Sequence, residues 1–177
     1  NQICDVFFSM SHGVNRGKLK RDKEDERHNF ITDLITKCPN IIFDIYGYKN
    51  REPVWAEDFY KVIVNSKMAL NLTRGKPIKY LTSNRIASLI GNGLLTFIDK
   101  KTKLDNFFNK NEVIFYSSLQ DLAEKINRFK GDDKARMKIA KNGRKKYFEL
   151  FECQKISDYI VSKSFNRETS KRLKWMD

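Results

Sequence analysis

Thr82-Ser83-Asn84-Arg85-Ile86-Ala87-Ser88-Leu89-Ile90-Gly91-Asn92-Gly93, followed by Leu94-Leu95-Thr96-Phe97-Ile98-Asp99, decides the fold. The segment reads as a polar helix start, a short helix with one apolar face, a glycine stop and a buried strand. An α/β domain builds an anion site in this way. The backbone N–H groups of a helix's first turn have no partner inside the helix, and the helix dipole favours negative charge there. Ser83 or Thr82 is placed to cap that turn, and Arg85 stands at its mouth. Gly91 and Gly93 are expected to let the chain reverse into the strand. An ordinary helix-to-strand turn with a surface arginine is the simpler reading of the same spacing.

Working outward, strands and helices alternate. Residues 4–9 read as a first buried strand, 10–22 as a polar loop and 23–37 as a helix with Phe30, Ile31, Leu34 and Ile35 at helical spacing. Residues 41–46 form a second strand closed by Gly47, 57–66 a helix and 68–72 a third strand. The helix at 82–91 leads to a fourth strand at 93–98, and 113–116 is the fifth. Three helices, near 118–130, 133–150 and 154–165, finish the chain before a basic tail. This spacing predicts βαβ units, hence a Rossmann-like three-layer α/β/α fold with a parallel sheet of about five or six strands and extra C-terminal helices. Residues 1–165 are read as that domain and 166–177 as the tail.

In such a sheet a ligand binds outside the carboxyl ends of the strands. The loops at that edge would be 10–22, 47–56, 73–82 and 99–103. They carry Arg16, Lys18, Arg21, Lys49, Arg51, Arg74, Lys76 and Lys79. The predicted topology thus concentrates basic residues where a ligand would sit.

The 177 residues carry 35 Lys and Arg against 22 Asp and Glu, a formal net charge of +13. That balance suits an anionic partner: nucleotide phosphates, nucleic acid or an acidic membrane surface. Lysines on solvated helix faces account for part of it. No apolar run is long enough to span a membrane. The opening Asn1-Gln2-Ile3-Cys4-Asp5 lacks a basic-then-apolar signal pattern, and is expected to mark a domain boundary. Cys4, Cys38 and Cys153 have no metal-ligand spacing and are expected to be buried thiols of a cytoplasmic protein. Only two histidines, His12 and His28, are present, so a histidine-rich metal site is excluded.

The order of these motifs resembles the C-terminal half of GT-B fold glycosyltransferases, of the group-1 and spore-maturation-type branches. "K-M-A-L-N-L" at 67–72 precedes "N-R-I-A-S-L-I-G-N-G-L-L-T-F" at 84–97. The family pattern is close to R-x-F-E-x-x-A-x-G before an apolar strand. Arg85 matches its arginine and Gly93 its glycine; Ala87 replaces the aromatic and Ser88 the glutamate. Further on, "E-V-I-F-Y" at 112–116 precedes a polar helix start, and Arg136 with Ile139-Ala140-Lys141-Asn142-Gly143 resembles the later "R-x-x-I-A-x-x-G" helix. The resemblance covers about 3 to 165.

The resemblance implies a domain that binds a nucleotide-diphosphate sugar and acts with a missing N-terminal acceptor-binding domain of the same enzyme. The sugar would pass to an acceptor glycan, lipid or protein. The diphosphate would meet the start of the 82–91 helix, with contacts from Ser83 and Asn84, and Arg85 would neutralise its charge. Gly13, in the loop after the first strand, would bring backbone close to the donor. Tyr46 and Gly47, after the second, would pack near the base. Arg16, Arg74 and Lys79 are the basic donor-binding candidates from the loops. Ser88 would meet the ribose in place of the glutamate, as a shorter and neutral partner. His12 is the catalytic candidate, although a lone histidine is more often structural. Asp99 reads as a turn cap or a donor-sugar contact. With no Asp-x-Asp pair, no metal and no cofactor are expected. In the family the C-terminal helix crosses back to the first domain; here Phe148, Phe151, Tyr159, Ile160 and Phe165 either make that contact or complete this domain's own core.

Two other readings stay open at this point. One is an α/β binding domain that kept the fold and lost catalysis, supported by Ser88. The other is a basic nucleic-acid-binding module using Tyr80, Tyr147 and Trp175, against which no helix-turn-helix, RRM or zinc-finger pattern is found, so nucleic acid is not the expected partner. The tail at 166–174 would suit peripheral contact with acidic phospholipid.

Overall fold

A computed structural model describes residues 3–11 and 25–168. The expected positions Gly13, Arg16, Lys18, Arg21 and His12 lie outside the described residues, as does the tail from 169. Strand β1 (Cys4–Ser9) is followed by α1 (Glu26–Lys37), β2 (Phe43–Tyr46), α2 (Ala56–Val64) and β3 (Ser66–Asn71). Then come α3 (Asn84–Gly91), β4 (Leu95–Asp99), two 3-10 turns at Lys100–Thr102 and Leu104–Asn106, and β5 (Ile114–Tyr116). Helices α4 (Leu119–Gly131), α5 (Asp133–Phe151) and α6 (Cys153–Ser164) close the described chain.

All four strand pairs are parallel, in the order β2-β1-β3-β4-β5. Register puts Val6 beside Phe43 on one side and Met68 on the other, and Phe97 between Leu70 and Ile114. Strands buried on both faces need apolar residues at successive positions rather than alternate ones, and Val6-Phe7-Phe8 and Met68-Ala69-Leu70 supply them. Ile31 and Leu34 of α1 share one core with Leu122, Ile126 and Phe129 of α4 and with Val6, Phe8, Leu70 and Phe97. On the opposite face Ile63 of α2 and Leu89 of α3 pack on Phe7 and Ala69. Phe7, Phe8 and Phe97 are fully buried. Each such ring removed from water contributes roughly 1.5–3 kcal/mol.

Helix α5 wraps the β5 edge: Ala140 joins the first core, and Leu150 joins Ile86, Ile90 and Ile98 on the other side. Gly143 makes this possible, because a Cβ there would lie 2.1 Å from the Glu112 carbonyl oxygen. Covering β5 also hides an edge strand that would otherwise offer unpaired backbone groups. Phe151 packs into this core, but Ile160, Val161 and Phe165 are exposed, and Ser162 is the buried residue of α6. Helix α6 therefore does not complete this domain's core. Cys153 is exposed, correcting the expectation of three buried thiols; Cys4 and Cys38 are buried. Among the described residues no helix is long and apolar enough to cross a membrane.

The chain steps from β1 outward to β2, then returns past β1 to β3. The loops after β1 and β3 therefore diverge, leaving a crevice at the carboxyl ends of these neighbours.

Candidate functional site

Helix α3 starts at that crevice. Its N-cap residue is Ser83, in extended conformation, but the Ser83 hydroxyl makes no capping hydrogen bond, contrary to the expectation for that side chain. Its oxygen is buried without a partner. By contrast Asp25, Ser118 and Asp132 cap α1, α4 and α5 through their side chains. The first turn of α3 thus keeps its N–H groups without a side-chain cap. Asn84 opens the helix and is exposed.

Arg85 turns back across the sheet end. Its guanidinium donates to the Leu72 carbonyl at 2.8 Å and lies 5.1 Å from the centre of the Phe8 ring. Among the described residues no carboxylate pairs with it. Burial, and then the positive charge of Arg27, lower its pKa to about 10. It stays protonated at neutral pH and is a partly desolvated cation without a counter-ion among the described residues. Such a group is stabilised when an anion arrives.

Arg27 is the residue the sequence reading missed. It is buried on the first turn of α1 and grips Asp25 with Nε at 2.9 Å from one carboxylate oxygen and 3.1 Å from the other. It also donates to the Ser11 carbonyl at 3.2 Å, to which Arg74 donates at 2.8 Å. The Arg74 Nε lies 3.9 Å from Asp25. Two guanidiniums, those of Arg27 and Arg74, therefore meet around one carboxylate and the Ser11 backbone, and the charge of Arg27 reaches Arg85. The available signal was an aspartate two residues before an arginine at a helix start.

Other expected positions separate. Gly47 has φ +73°, and a Cβ there would lie 1.9 Å from the Met10 carbonyl oxygen, so this glycine is required by the close approach of two loops. The Tyr46 ring is stacked under the Arg51 guanidinium at 3.8 Å, and Arg51 also pairs with Asp44. Burial, then the Asp44 carboxylate, raise the Tyr46 pKa. Lys79 lies 4.6 Å from the Tyr80 ring, which packs on Phe107 and whose hydroxyl accepts from Asn106. These contacts hold the Tyr80 ring beside the second 3-10 turn, with Lys79 over it. Ser88 is half-buried, three positions after Arg85 and four after Asn84, on the same helix face. Asp99 caps the first 3-10 turn by accepting from the Lys101 N–H at 2.8 Å. Gly93, at φ +78°, makes the reversal after α3, whereas Gly91 is the last residue of the helix, where a Cβ would lie in ordinary contact, 3.9 Å from the Tyr147 ring.

Beneath the loop after β3 lies a cavity of about 210 Å³, lined by the first turn of α1 and by the carboxyl ends of β3, β4 and β5. Asn71, Asp99 and Tyr116 are in its wall.

Sheet order and crevice together define a Rossmann-like α/β domain with a cluster of cationic side chains at its topological switch point. The chain belongs to the glycosyl transferase-like family, whose model matches residues 23–162. A search among curated protein sequences finds no match. Solved structures with a similar fold include HepE of Anabaena in complex with UDP, at 12% identity and a TM-score of 0.68, over 93% of this chain and 49% of that one. TarM is similar at 13% identity and a TM-score of 0.63, over 93% and 35%. Sucrose-phosphate synthase from Thermosynechococcus elongatus is similar at 12% and 0.64, over 94% and 46%. This chain spans half or less of the length of each.

Proposed function

We propose that this domain binds the diphosphate of a nucleotide-sugar donor and serves as the donor half of a glycosyltransferase. The observation that carries the reading is Arg85: a half-buried guanidinium without a carboxylate partner among the described residues, at the start of a helix whose first turn has no side-chain cap. A diphosphate there accepts from the N–H groups of Asn84 and its neighbours and from the Arg85 fork. Arg74 adds charge from the loop above. Positive side chains and the helix dipole supply the charge compensation, in the absence of an Asp-x-Asp pair in the sequence. HepE has been solved with UDP and with UDP-glucose, which supports a uridine donor as the first one to test. The motif order from Arg85 to Gly93 supports the spore-maturation-type branch. The acceptor-binding domain that would complete the cleft is a separate unit, and the acceptor is a glycan, lipid or protein bound there.

Titration calorimetry with UDP, GDP, dTDP and their sugar conjugates tests this, with Arg85→Ala beside the parent chain. Saturable binding of one nucleoside diphosphate, weakened at least tenfold in Arg85→Ala, is expected. Absence of binding to all of them refutes the donor site. Ser88 favours one further reading, a domain that kept the fold and lost the donor; that same null result is its signature.

A further inference from the structure

The loop after β3 and the two 3-10 turns after β4 form one surface, tied together through Tyr80. The Tyr80 N–H donates to the Thr102 carbonyl at 2.8 Å, its ring packs edge-on against Phe107, and its hydroxyl accepts from Asn106 at 2.6 Å. Leu81 closes a turn by donating its N–H to the Ile78 carbonyl at 3.3 Å. Tyr80 and Lys103 hold φ at +61° and +57°, a left-handed conformation that bulky side chains rarely adopt. Such strain persists only where surrounding contacts over-determine it, and it gathers at functional sites. The segment held in this way leaves apolar groups in water: Ile78, Tyr80 and Leu81 are 60%, 40% and 38% exposed.

Exposed lysines belong to the same two segments: Lys76, Lys79, Lys100, Lys101 and Lys103. None of them pairs with a carboxylate among the described residues. The acids of these segments are Asp105, which is exposed, and Asp99, whose carboxylate accepts from the Lys101 backbone N–H. Unpaired positive charge therefore accompanies exposed aliphatic side chains. Elsewhere the two are not combined. Beside the exposed Ile42 at the amino edge, Lys67 and Lys130 are both committed to Asp5. A nucleic acid would use the lysines but leave Ile78 and Leu81 in water, and the Tyr80 ring, packed on Phe107 with Lys79 over it, is a poor stacking platform. An anionic bilayer uses both features. Its headgroups attract the ammonium groups, and aliphatic side chains enter the boundary with the acyl region.

We propose that this surface docks on an anionic lipid bilayer, with Ile78 and Leu81 entering the headgroup layer and the lysines meeting lipid phosphates and carboxylates. The docking face is the loop after β3 with the two 3-10 turns, rather than the basic tail at 166–174. The proposal does not depend on the donor-site reading.

Vesicles of phosphatidylcholine alone, and of phosphatidylcholine with about a third phosphatidylserine, would be sedimented with the chain at low and at physiological salt. The parent would be compared with a triple variant, Lys76→Gln with Lys100→Gln and Lys103→Gln, and with a double variant, Ile78→Ser with Leu81→Ser. We expect binding to the anionic vesicles only, weakened by salt. A lysine near such a surface adds roughly fivefold in affinity, so the triple variant should bind at least tenfold more weakly. The double variant should lose about threefold or more, through its apolar contact. Both should melt as the parent does, because all five side chains are exposed. An environment-sensitive dye on Ile78→Cys, in a Cys153→Ser background that leaves only the buried Cys4 and Cys38, should shift to the blue with anionic vesicles and not with neutral ones. A single-stranded oligonucleotide titrated in parallel separates lipid from polyanions in general. The lipid assignment is overturned if vesicles and oligonucleotide both bind, both are weakened in the triple variant, and neither is weakened in the double variant. Absence of vesicle binding overturns the proposal. So does binding that both variants keep, which would belong to another part of the chain such as the tail. No nucleotide enters these assays, so the donor-site reading is tested separately.

Discussion

The two edges of one parallel sheet handle buried polarity in opposite ways. At the amino edge Asp5 is 2% exposed and fully provided for: it accepts from the Ile42 N–H at 3.0 Å and pairs with Lys67 at 2.9 Å and Lys130 at 3.1 Å. At the carboxyl edge Ser83, Asn71 and Tyr116 each hold a buried oxygen without a partner among the described residues, and Arg85 is a half-buried cation without a carboxylate among them. The same chain that spends three partners on one aspartate leaves four polar groups waiting a few residues away along the strands. Satisfied burial at one edge holds the strands and helices together, and unsatisfied burial at the other is the mark of a place where a ligand completes the structure.

The sharpest way to break the comparison is at Asp5. Asp5→Ala strands two ammonium groups and a backbone N–H, and should destabilise the domain by about 2–3 kcal/mol, toward the lower end for broken buried pairs because both lysines are about a third exposed. Urea unfolding measures it, and affinity for a diphosphate should not change in the folded fraction. Next comes Arg85→Ala, with the reverse pattern: at least a tenfold loss of diphosphate affinity and a stability change within about 1 kcal/mol. Equal losses of stability at both positions would abolish the distinction.

Acid sharpens it further. Burial alone would raise the pKa of Asp5, but the Ile42 N–H and the two lysines outweigh it and hold the carboxyl below its ordinary value. A lowered folded-state pKa means that Asp5 contributes its stability above the unfolded-state pKa of about 3.9 and loses it as pH falls through the folded-state value. Below about pH 4 the melting temperature of the parent chain should therefore drop more steeply than that of Asp5→Asn. The smallest effect is at the end of α3. Gly91→Ala should stabilise by up to about 1 kcal/mol, whereas Gly93→Ala, at φ +78°, should destabilise by a similar amount. Thermal melts of the two variants check the pair.

The fold was legible because its signals are local. Alternating apolar runs and helical periodicities placed the five strands and six α-helices of the described residues, with boundaries that coincide or shift by at most three residues. Strand β2 starts at Phe43 rather than 41, where Ile41 is already buried but the ladder to β1 begins two residues later. The helix start proposed to meet the diphosphate was legible for the same reason: Ser83, Asn84 and Arg85 are consecutive there. What stayed hidden depends on long-range packing. Asn71 and Tyr116 end apolar runs and read as strand cores; only the fold brings them to one cavity. Arg27 sits in a helix start that periodicity reads as solvated, yet its pairing with Asp25 buries it. Lys79 is a further case: its charge is plain in the sequence, whereas its contact with the Tyr80 ring is seen only in the fold.

Hydrogen exchange read by mass spectrometry, with and without saturating UDP, tests the contrast between the edges most directly. The account predicts slowed exchange confined to the carboxyl edge, in 72–86 and around Ser11, with residues 3–5, 42 and 65–67 at the amino edge unchanged. Unaltered exchange across 72–86, or protection at the amino edge instead, would contradict it.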